Sequence, residues 1–464
     1  NTGLVQVRTI NTASGKILLE GSTVNVAGKL DASAPGGGNG GFIETSGATV
    51  NIDAKSSITA AAPRGKAGTW LIDPVDITVD STMATSLQNT LNGGTNASLT
   101  TNSAGSDSGN ITVVNEVSWS TGNTLTLTAN GLITLNADIT ASGAGAGLVL
   151  SAGNGTYTLN NGAKITLSGA SPTLSINGNP YTVVNTLQGL QNMNNQLEAR
   201  YFLGDDLDAS ATATWNSGTG FVPIGYLSPF SGTFDGGTHS ITGLTIDLSK
   251  ANISTVGLFS KTSGAAIRNV RLRGGSIKGS DSDLVGALAG QITGTTELTN
   301  CSSSATVTGG AETGGLIGSV SGVGIKTFSK LHNSGAVTGT GDAGGLIGNM
   351  VGGQASLLYS SNTGTVSGKK NVGGLMGIND NSGNLTINQS FNTGALKGRT
   401  TGGLVGKSAG NTNVLTVNDS YNNGSVASPD YFGNAGGLEG QFTNTLVLNN
   451  SDSSGSIRAS GDLG

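Results

Sequence analysis

Residues 344–372 read GGLIGNMVGGQASLLYSSNTGTVSGKKNV, and at residue 373 the sequence begins again with GGLMG. The block GGL-x-G recurs at 314–318, 344–348, 373–377, 402–406 and 436–440, and degenerate copies stand at 256–260 and 286–290. Its leucines, separated by steps of 30, 28, 30, 29, 29 and 34 residues, are Leu258, Leu288, Leu316, Leu346, Leu375, Leu404 and Leu438. A repeat of this length predicts one structural unit stacked many times.

Two more apolar columns keep the same period, with steps of 29 to 31 residues. They are Leu298, Phe328, Leu357, Ile387, Val417 and Leu448, and Val307, Val337, Val366, Leu396, Val426 and Ile457. Between them lie corners of the type S-x-N-x-G with Asn333, Asn362, Asn392 and Asn422, and because Asn and Gly tolerate positive φ we expect the chain to turn there. A unit of about 29 residues cannot close a core alone, so coils that stack through parallel strands are expected. The sequence predicts an all-β parallel β-solenoid.

The first half repeats less strictly. Leu30, Pro35 and Phe42 recur 28 residues later as Ile58, Pro63 and Trp70, and short alternating apolar pairs follow Pro74. Leu187, Leu190, Met193 and Leu197 have helical spacing, which predicts one short helix near 186–198. We therefore expect a solenoid at 1–178, a helix-containing junction at 179–250 and a solenoid of 29–30 residues per coil at 251–464. Ile457 lies seven residues before Gly464, so the last coil is expected to be truncated.

Composition excludes several classes of function. The only cysteine is Cys301 and the only histidines are His239 and His332, so a disulfide framework or a zinc site with several thiolates is excluded. The formal net charge of −5 offers no global basic field for nucleic acid. Residues 1–10 lack a basic start followed by an apolar run, and any export signal is expected outside the chain. No catalytic residue, metal or cofactor is predicted.

Four stretches, in order, resemble large bacterial exoproteins similar to filamentous haemagglutinin. They are GGFIETSG at 40–47 with AGTWLIDPVDITVD at 67–80, the segment 185–225, FSGTFDGGTHSITGLTI at 230–246, and the GGL-x-G blocks, which resemble the GLUG motif. The resemblance implies a right-handed β-helix from a Gram-negative bacterium. It also implies two-partner secretion through an outer-membrane transporter and adhesion or biofilm-matrix work at the cell surface.

Three groups of residues invite a chemical interpretation. Asp205, Asp206 and Asp208 form the tightest acidic cluster, and grouped carboxylates can act as general acid and base or bind calcium; a solvated strand edge is the alternative. GGLVGKS at 402–408 is not a phosphate loop, because that motif requires glycine where Thr401 stands. Cys301 shares its repeat position with Leu331, Ser360, Ser390 and Ser420 and is expected to be a small residue that fills a half-buried site.

The candidate ligand surface combines basic and aromatic residues. Arg271 and Arg273 share strand parity, so both should point outward, where they could bind an anionic glycan or form a merely solvated face. His332 occupies the corner position of Phe391 and Tyr421, which predicts a stacked row on which sugar rings could lie. The full candidate set is Arg268, Arg271, Arg273, Lys278, His332, Phe391 and Tyr421.

We therefore expect a non-enzymatic structural and adhesive rod segment of a large secreted adhesin. Its expected partners are a cell-surface or matrix polysaccharide, or a host-cell receptor, with the outer-membrane transporter during secretion. The alternative is a carbohydrate-active β-helix enzyme, a polysaccharide lyase or hydrolase.

Overall fold

The computed structural model describes residues 1–9, 14–101, 108–380, 383–410, 414–430, 433–443 and 445–460. The chain divides into two compact units, Asn1–Val183 and Val184–Gly464. Both consist mainly of short strands, which form a parallel β-solenoid of about 15 turns, so the predicted fold is confirmed. The right-handed sense of the solenoid stays a prediction. The expected truncation of the last coil also stays a prediction, because Gly464 lies outside the described residues. Among the described residues, none of the helices has the length and the apolar character that spanning a membrane requires.

The first unit is built around one long parallel sheet. It contains Lys16–Glu20, Phe42–Ser46, Thr69–Asp73, Asn96–Thr100, Thr124–Ala129, Gly147–Ala152 and Thr173–Ile176. Shorter parallel sheets contain Leu4–Gln6, Lys29–Asp31 and Ser57–Thr59; Thr23–Val26 and Thr49–Ile52; Ile77–Val79, Ile111–Val113, Ile133–Leu135 and Tyr157–Leu159; and Val117–Trp119, Ile139–Ala141 and Ile165–Leu167. Asn179–Val184 turns back to pair antiparallel with Thr173–Ile176.

The 28-residue step of the first half holds for one column and fails for another. Leu30 pairs with Ile58 as expected. Trp70, however, pairs with Ile43, and Phe42 pairs with Thr69. The true step in this column is 27 residues, because the segment from Ile58 to Thr69 is one residue shorter than the corresponding segment from Leu30 to Phe42. Trp70 and Ile43 therefore point into the core, and the half-buried Phe42 lies under the Lys16 ammonium.

A helix that is absent from the sequence prediction packs against several strands of the first unit. It is α1, Ser81–Asn92, and Asp80 caps it by accepting a hydrogen bond from the backbone N–H of Met83. Met83, Leu87 and Leu91 are spaced by four residues and buried. The predicted helix near 186–198 is shorter than expected: α2, Leu187–Gln191, is followed by a 3-10 turn at Asn192–Asn195.

The second unit contains five parallel sheets, here named A to E. Sheet A contains Arg200–Leu203, Thr233–Asp235, Ala266–Arg268, Glu297–Thr299, Ile325–Ser329, Gln354–Leu358, Asn384–Asn388, Val414–Asn418 and Thr445–Asn449. Sheet B contains Leu207–Asp208, Ser240–Thr242, Arg271–Arg273, Ser302–Ser303, His332–Asn333, Ser361–Asn362, Phe391–Asn392, Tyr421–Asn422 and Asp452–Ser453. A 3-10 segment, Ser210–Gly218, follows the first strand of sheet B.

The remaining sheets complete each coil. Sheet C contains Thr245–Asp247, Ser276–Lys278, Thr306–Thr308, Val337–Thr338, Val366–Ser367, Leu396–Lys397, Val426–Ser428 and Ile457–Ala459. Sheet D contains Thr255–Val256, Leu284–Gly286, Glu312–Gly314, Asp342–Gly344, Asn371–Gly373, Thr400–Gly402 and Asn434–Gly436. Sheet E contains Phe259–Ser263, Ala289–Thr293, Ile317–Ser321, Ile347–Val351, Met376–Asp380, Val405–Ser408 and Glu439–Phe442.

The apolar columns read from the sequence are true strand-to-strand neighbours. Leu298, Phe328 and Leu357 pair in sheet A, and the column continues to Leu448. Val307 and Val337 pair in sheet C, and that column continues to Ile457. Burial of the apolar side chains as far as Val417 and Val426 stabilises the stack by roughly 1.5–3 kcal/mol each, whereas Leu448 and Ile457, at the ends of the columns, are exposed.

The asparagine column has a different role from the one expected. Asn333, Asn362, Asn392 and Asn422 are not at positive φ; their side chains are fully buried. Positive φ belongs instead to the residues three before them, Lys330, Tyr359, Gln389 and Asp419. The glycine two residues after each asparagine allows close stacking, since a Cβ at Gly364 would lie 2.1 Å from the carbonyl oxygen of Gly335.

Candidate functional site

Sheet B presents one continuous column of outward side chains, which we name the outer row. Strand pairing places its members in the order Arg271, Ser302, His332, Ser361, Phe391, Tyr421 and Asp452. Ser240, which pairs with Arg271 before the start of the row, is buried. Alternation along each strand turns the next residue inward, which is why Leu272 and Asn333 are buried. Five strand spacings separate Arg271 from Tyr421, so the two side chains start about 24 Å apart.

The aromatic end of the outer row is a stacked pair. The rings of Phe391 and Tyr421 lie with their centroids 5.1 Å apart and their planes 3° from parallel. Each ring therefore covers one face of the other, and the opposite faces point towards Ser361 and Asp452. These outer faces and the ring edges are the surface on which an apolar sugar face can stack.

His332 continues the outer row two coils before Phe391. Its Nδ1 lies 2.9 Å from the Ser361 hydroxyl. Burial lowers the pKa of His332 below its ordinary value. The neutral imidazole is thus favoured at neutral pH, and it can exchange hydrogen bonds with hydroxyl groups.

The basic residues of the candidate set lie on three different sheets, because the coil turns between them. Arg268 lies in sheet A, where its Nε is 2.5 Å from Oδ2 of the buried Asp235. Lys278 lies in sheet C and pairs with Asp247 at 3.6 Å. Only Arg271 and Arg273, both directed outward from sheet B, remain together. Arg271 alone belongs to the outer row.

The acidic cluster is tied into the backbone. Asp206 Oδ1 accepts a hydrogen bond from the backbone N–H of Ser240. Asp208 Oδ1 accepts one from the N–H of Ser210, and this bond holds the pKa of Asp208 below its ordinary value. A carboxyl group with a lowered pKa is a poor general acid at neutral pH.

One grouping could not be read from sequence spacing. His239 lies one coil beyond the acidic cluster, and its Nδ1 is 3.5 Å from Asp206 Oδ1. Donor atoms of Asp205, Asp206 and His239 all lie within 4.8 Å of one another. Two of these residues come from one coil and the third from the next, because Leu207 pairs with Ile241. Asp208 does not join them among the described residues.

The sequence analysis did not align Arg271 with His332, although both belong to the outer row. The period of the corner could have identified it, since Arg271, Ser302 and His332 are separated by 31 and 30 residues. The corner lacks its asparagine in these earlier coils, where Leu272 and Ser303 stand instead. Without the asparagine the sequence pattern loses its marker.

Cys301 is buried more deeply than expected. It is 1% exposed, and burial raises the pKa of its thiol to about 12. The thiol lies 3.4 Å from the carbonyl oxygen of Thr299. A thiol in this state is a packing group and a poor nucleophile.

Comparisons with known proteins match parts of the chain. Residues 174–305 match the family described as the N-terminal region of M26 IgA1-specific metallo-endopeptidases. The chain is 36% identical to halomucin of Haloquadratum walsbyi over an alignment of 152 residues, which covers 31% of this chain and 2% of that protein's length. A solved structure of a candidate immunoglobulin A1 protease of Bacteroides ovatus is 19% identical over 57% of this chain and 84% of its own, with a TM-score of 0.43.

Proposed function

We propose that this chain is a structural and adhesive segment of a large protein secreted by a Gram-negative bacterium. In this proposal the solenoid holds the outer row away from the cell, where it binds a cell-surface or matrix polysaccharide or a host-cell receptor. The parent protein leaves the cell by the two-partner route, through an outer-membrane transporter.

The outer row is the observation that carries the proposal. It places a cation, Arg271, an uncharged imidazole, His332, and two stacked aromatic rings along one face of a repetitive stack. Cations and aromatic rings recognise the anionic groups and the apolar faces of sugars. A column that repeats along an axis suits a polymeric ligand, since weak contacts add through avidity.

The comparisons are compatible with this proposal without carrying it. The matched peptidase family concerns an N-terminal region. The H-E-x-x-H motif of zinc metalloproteases requires two histidines four residues apart, and the histidines of this chain stand at 239 and 332. The name halomucin points to mucin-like proteins, which fits a structural role.

A binding assay tests the proposal. The purified chain is titrated against immobilised bacterial matrix polysaccharide and against host-cell surface glycans. Replacing both stacked rings, Phe391→Ala with Tyr421→Ala, should weaken binding about tenfold, since each ring contributes about 0.5–1.5 kcal/mol. The control is Tyr359→Asn, which removes an exposed ring outside the outer row at a positive φ of 52° that asparagine tolerates. Equal binding by both variants would count against the outer row.

The same preparation separates adhesion from enzyme action. Asp205, Asp206 and Asp208 are replaced together by asparagine, and polygalacturonate and alginate are assayed for cleavage. We expect unchanged adhesion and no cleavage by either protein. Cleavage by the parent chain that is lost in this triple variant would favour the carbohydrate-active enzyme instead.

A further inference from the structure

A groove runs along the corner between sheets C and D in the second unit, away from the outer row. It has a volume of about 400 Å³, and the residues that matter for its chemistry are Thr338, Ser367, Lys369, Lys397, Arg399 and Asp430. These residues come from four successive coils, so the groove follows the direction of stacking. We name it the corner groove.

The corner groove is cationic in an acidic protein. Lys369, Lys397 and Arg399 are exposed and face a single carboxylate of the lining, that of Asp430, so the local charge is +3 − 1 = +2. The whole chain carries −5. No ion pair joins these three cations to a carboxylate of the described residues. Their charge is therefore available to a ligand.

The backbone holds the cations at a fixed spacing. The N–H of Gly368 donates to the carbonyl of Lys397 at 3.0 Å, and the N–H of Arg399 donates to the carbonyl of Lys370 at 3.0 Å. A Cβ at Gly398 would lie 2.3 Å from Cγ2 of Val372, so the two coils approach closely there. Ser367 pairs with Lys397 one strand spacing, about 4.8 Å, away.

Hydroxyl groups line the groove beside the cations. The Ser367 hydroxyl donates to Thr338 Oγ1 at 3.3 Å, one coil from Lys397. No aromatic residue is among the described residues that line the groove. Proteins that bind single-stranded nucleic acid stack the bases on aromatic side chains, so this lining does not favour such a ligand.

We propose that the corner groove binds a linear anionic polysaccharide through its carboxylate or sulfate groups. Arg399 can hold such a group with two parallel hydrogen bonds, while the lysines act as point charges. Ser367 and Thr338 offer hydrogen bonds to sugar hydroxyls. This binding does not depend on the outer row, so each surface can be tested without the other.

The test measures binding of the full chain to polygalacturonate, which carries carboxylates, to heparin, which carries sulfates, and to neutral dextran. The groove variant combines Lys369→Gln, Lys397→Gln and Arg399→Gln. A matched control, Lys55→Gln with Arg64→Gln and Lys66→Gln, removes three exposed cations from the first unit. Thermal melting of both variants should equal that of the parent, because all six side chains are exposed.

We expect the parent to bind at least one of the two polyanions and not dextran. The groove variant should bind about tenfold more weakly, with a shallower dependence on salt, and the control should change less than twofold. Three results would overturn the proposal. Dextran could bind as strongly as both polyanions, neither polyanion could bind, or the groove variant and the control could lose affinity equally. The Phe391→Ala, Tyr421→Ala protein should keep its polyanion binding, which separates this site from the outer row.

Discussion

Buried asparagine side chains bond each coil to the next in the second unit. Nδ2 of Asn333 donates to Oδ1 of Asn362, and Asn362 donates in the same way to Asn392, each at 2.8 Å. Each Nδ2 also donates to a carbonyl two residues ahead, such as that of Gly364. Every amide therefore serves its own corner and the neighbouring coil, which explains how a polar group is tolerated in the core.

Asn362→Ala should lower the free energy of unfolding by about 1–3 kcal/mol, because it leaves the buried Nδ2 of Asn333 and Oδ1 of Asn392 each without one partner. Urea denaturation followed by circular dichroism measures the change. Thr365→Ala, at an exposed site in the same coil, is the control and should be nearly neutral. Equal midpoints for the two variants would contradict the amide ladder.

In one column of sheet E, Glu439 occupies the position that apolar residues occupy in the preceding coils. Sheet E aligns Phe259, Ala289, Ile317, Ile347, Met376 and Val405 with Glu439. Burial raises the pKa of Glu439 to about 7 from its ordinary 4.5, against the opposing effect of the Ser408 hydroxyl. The folded state thus binds this proton more tightly than the unfolded state, and the coil loses stability as the pH rises from about 4.5 to 7.

Glu439→Gln and Glu439→Val should both remove this loss, because neither side chain ionises, and Glu439→Val should also extend the apolar column. The shift in pKa predicts a difference of about 3 kcal/mol between pH 4.5 and pH 8 for the parent. Urea unfolding at these two values measures it, with the exposed Glu297→Gln as the control. A pH dependence that is the same in the parent and in both Glu439 variants would show that another group is responsible.

The repeat period of the sequence predicted most of the fold, and each prediction that was wrong has a local cause. The columns through Leu298 and Val307 follow from equal steps, and the strands pair as those steps predict. In the first unit the predicted register is wrong at Phe42, because one residue fewer separates the strands in the later coil. A shift of one residue exchanges the inward and outward side chains of a strand. Helix α1 was missed although Asp80 caps it and Met83, Leu87 and Leu91 have helical spacing. Its threonines and serines resemble the strand segments around it.

The candidate site was predictable only where the corner pattern persists. Phe391 and Tyr421 share the S-x-N-x-G corner, and the sequence therefore aligned them. Arg268 was grouped with Arg271 by nearness in sequence, yet the coil turns between sheets A and B and separates them. The three cations of the corner groove are 30 residues apart or less but belong to two coils, and only stacking brings them side by side.

At the scale of the whole molecule, coils that contact mainly their neighbours should be removable one at a time. Deleting residues 344–372 joins Ala343 to Gly373, which restores the GGL block and brings Asn333 next to Asn392 in the amide ladder. The shortened chain should fold with an unchanged circular dichroism spectrum per residue and melt only slightly lower, because stability in a stacked array is close to a sum over coils and their interfaces. Deleting residues 344–358 instead removes half a coil, joins Ala343 to Tyr359 and breaks every column, so that protein should fail to fold. Gel filtration and thermal melting compare the two, and a whole-coil deletion as damaging as the half-coil deletion would mean that the second unit is not a modular stack.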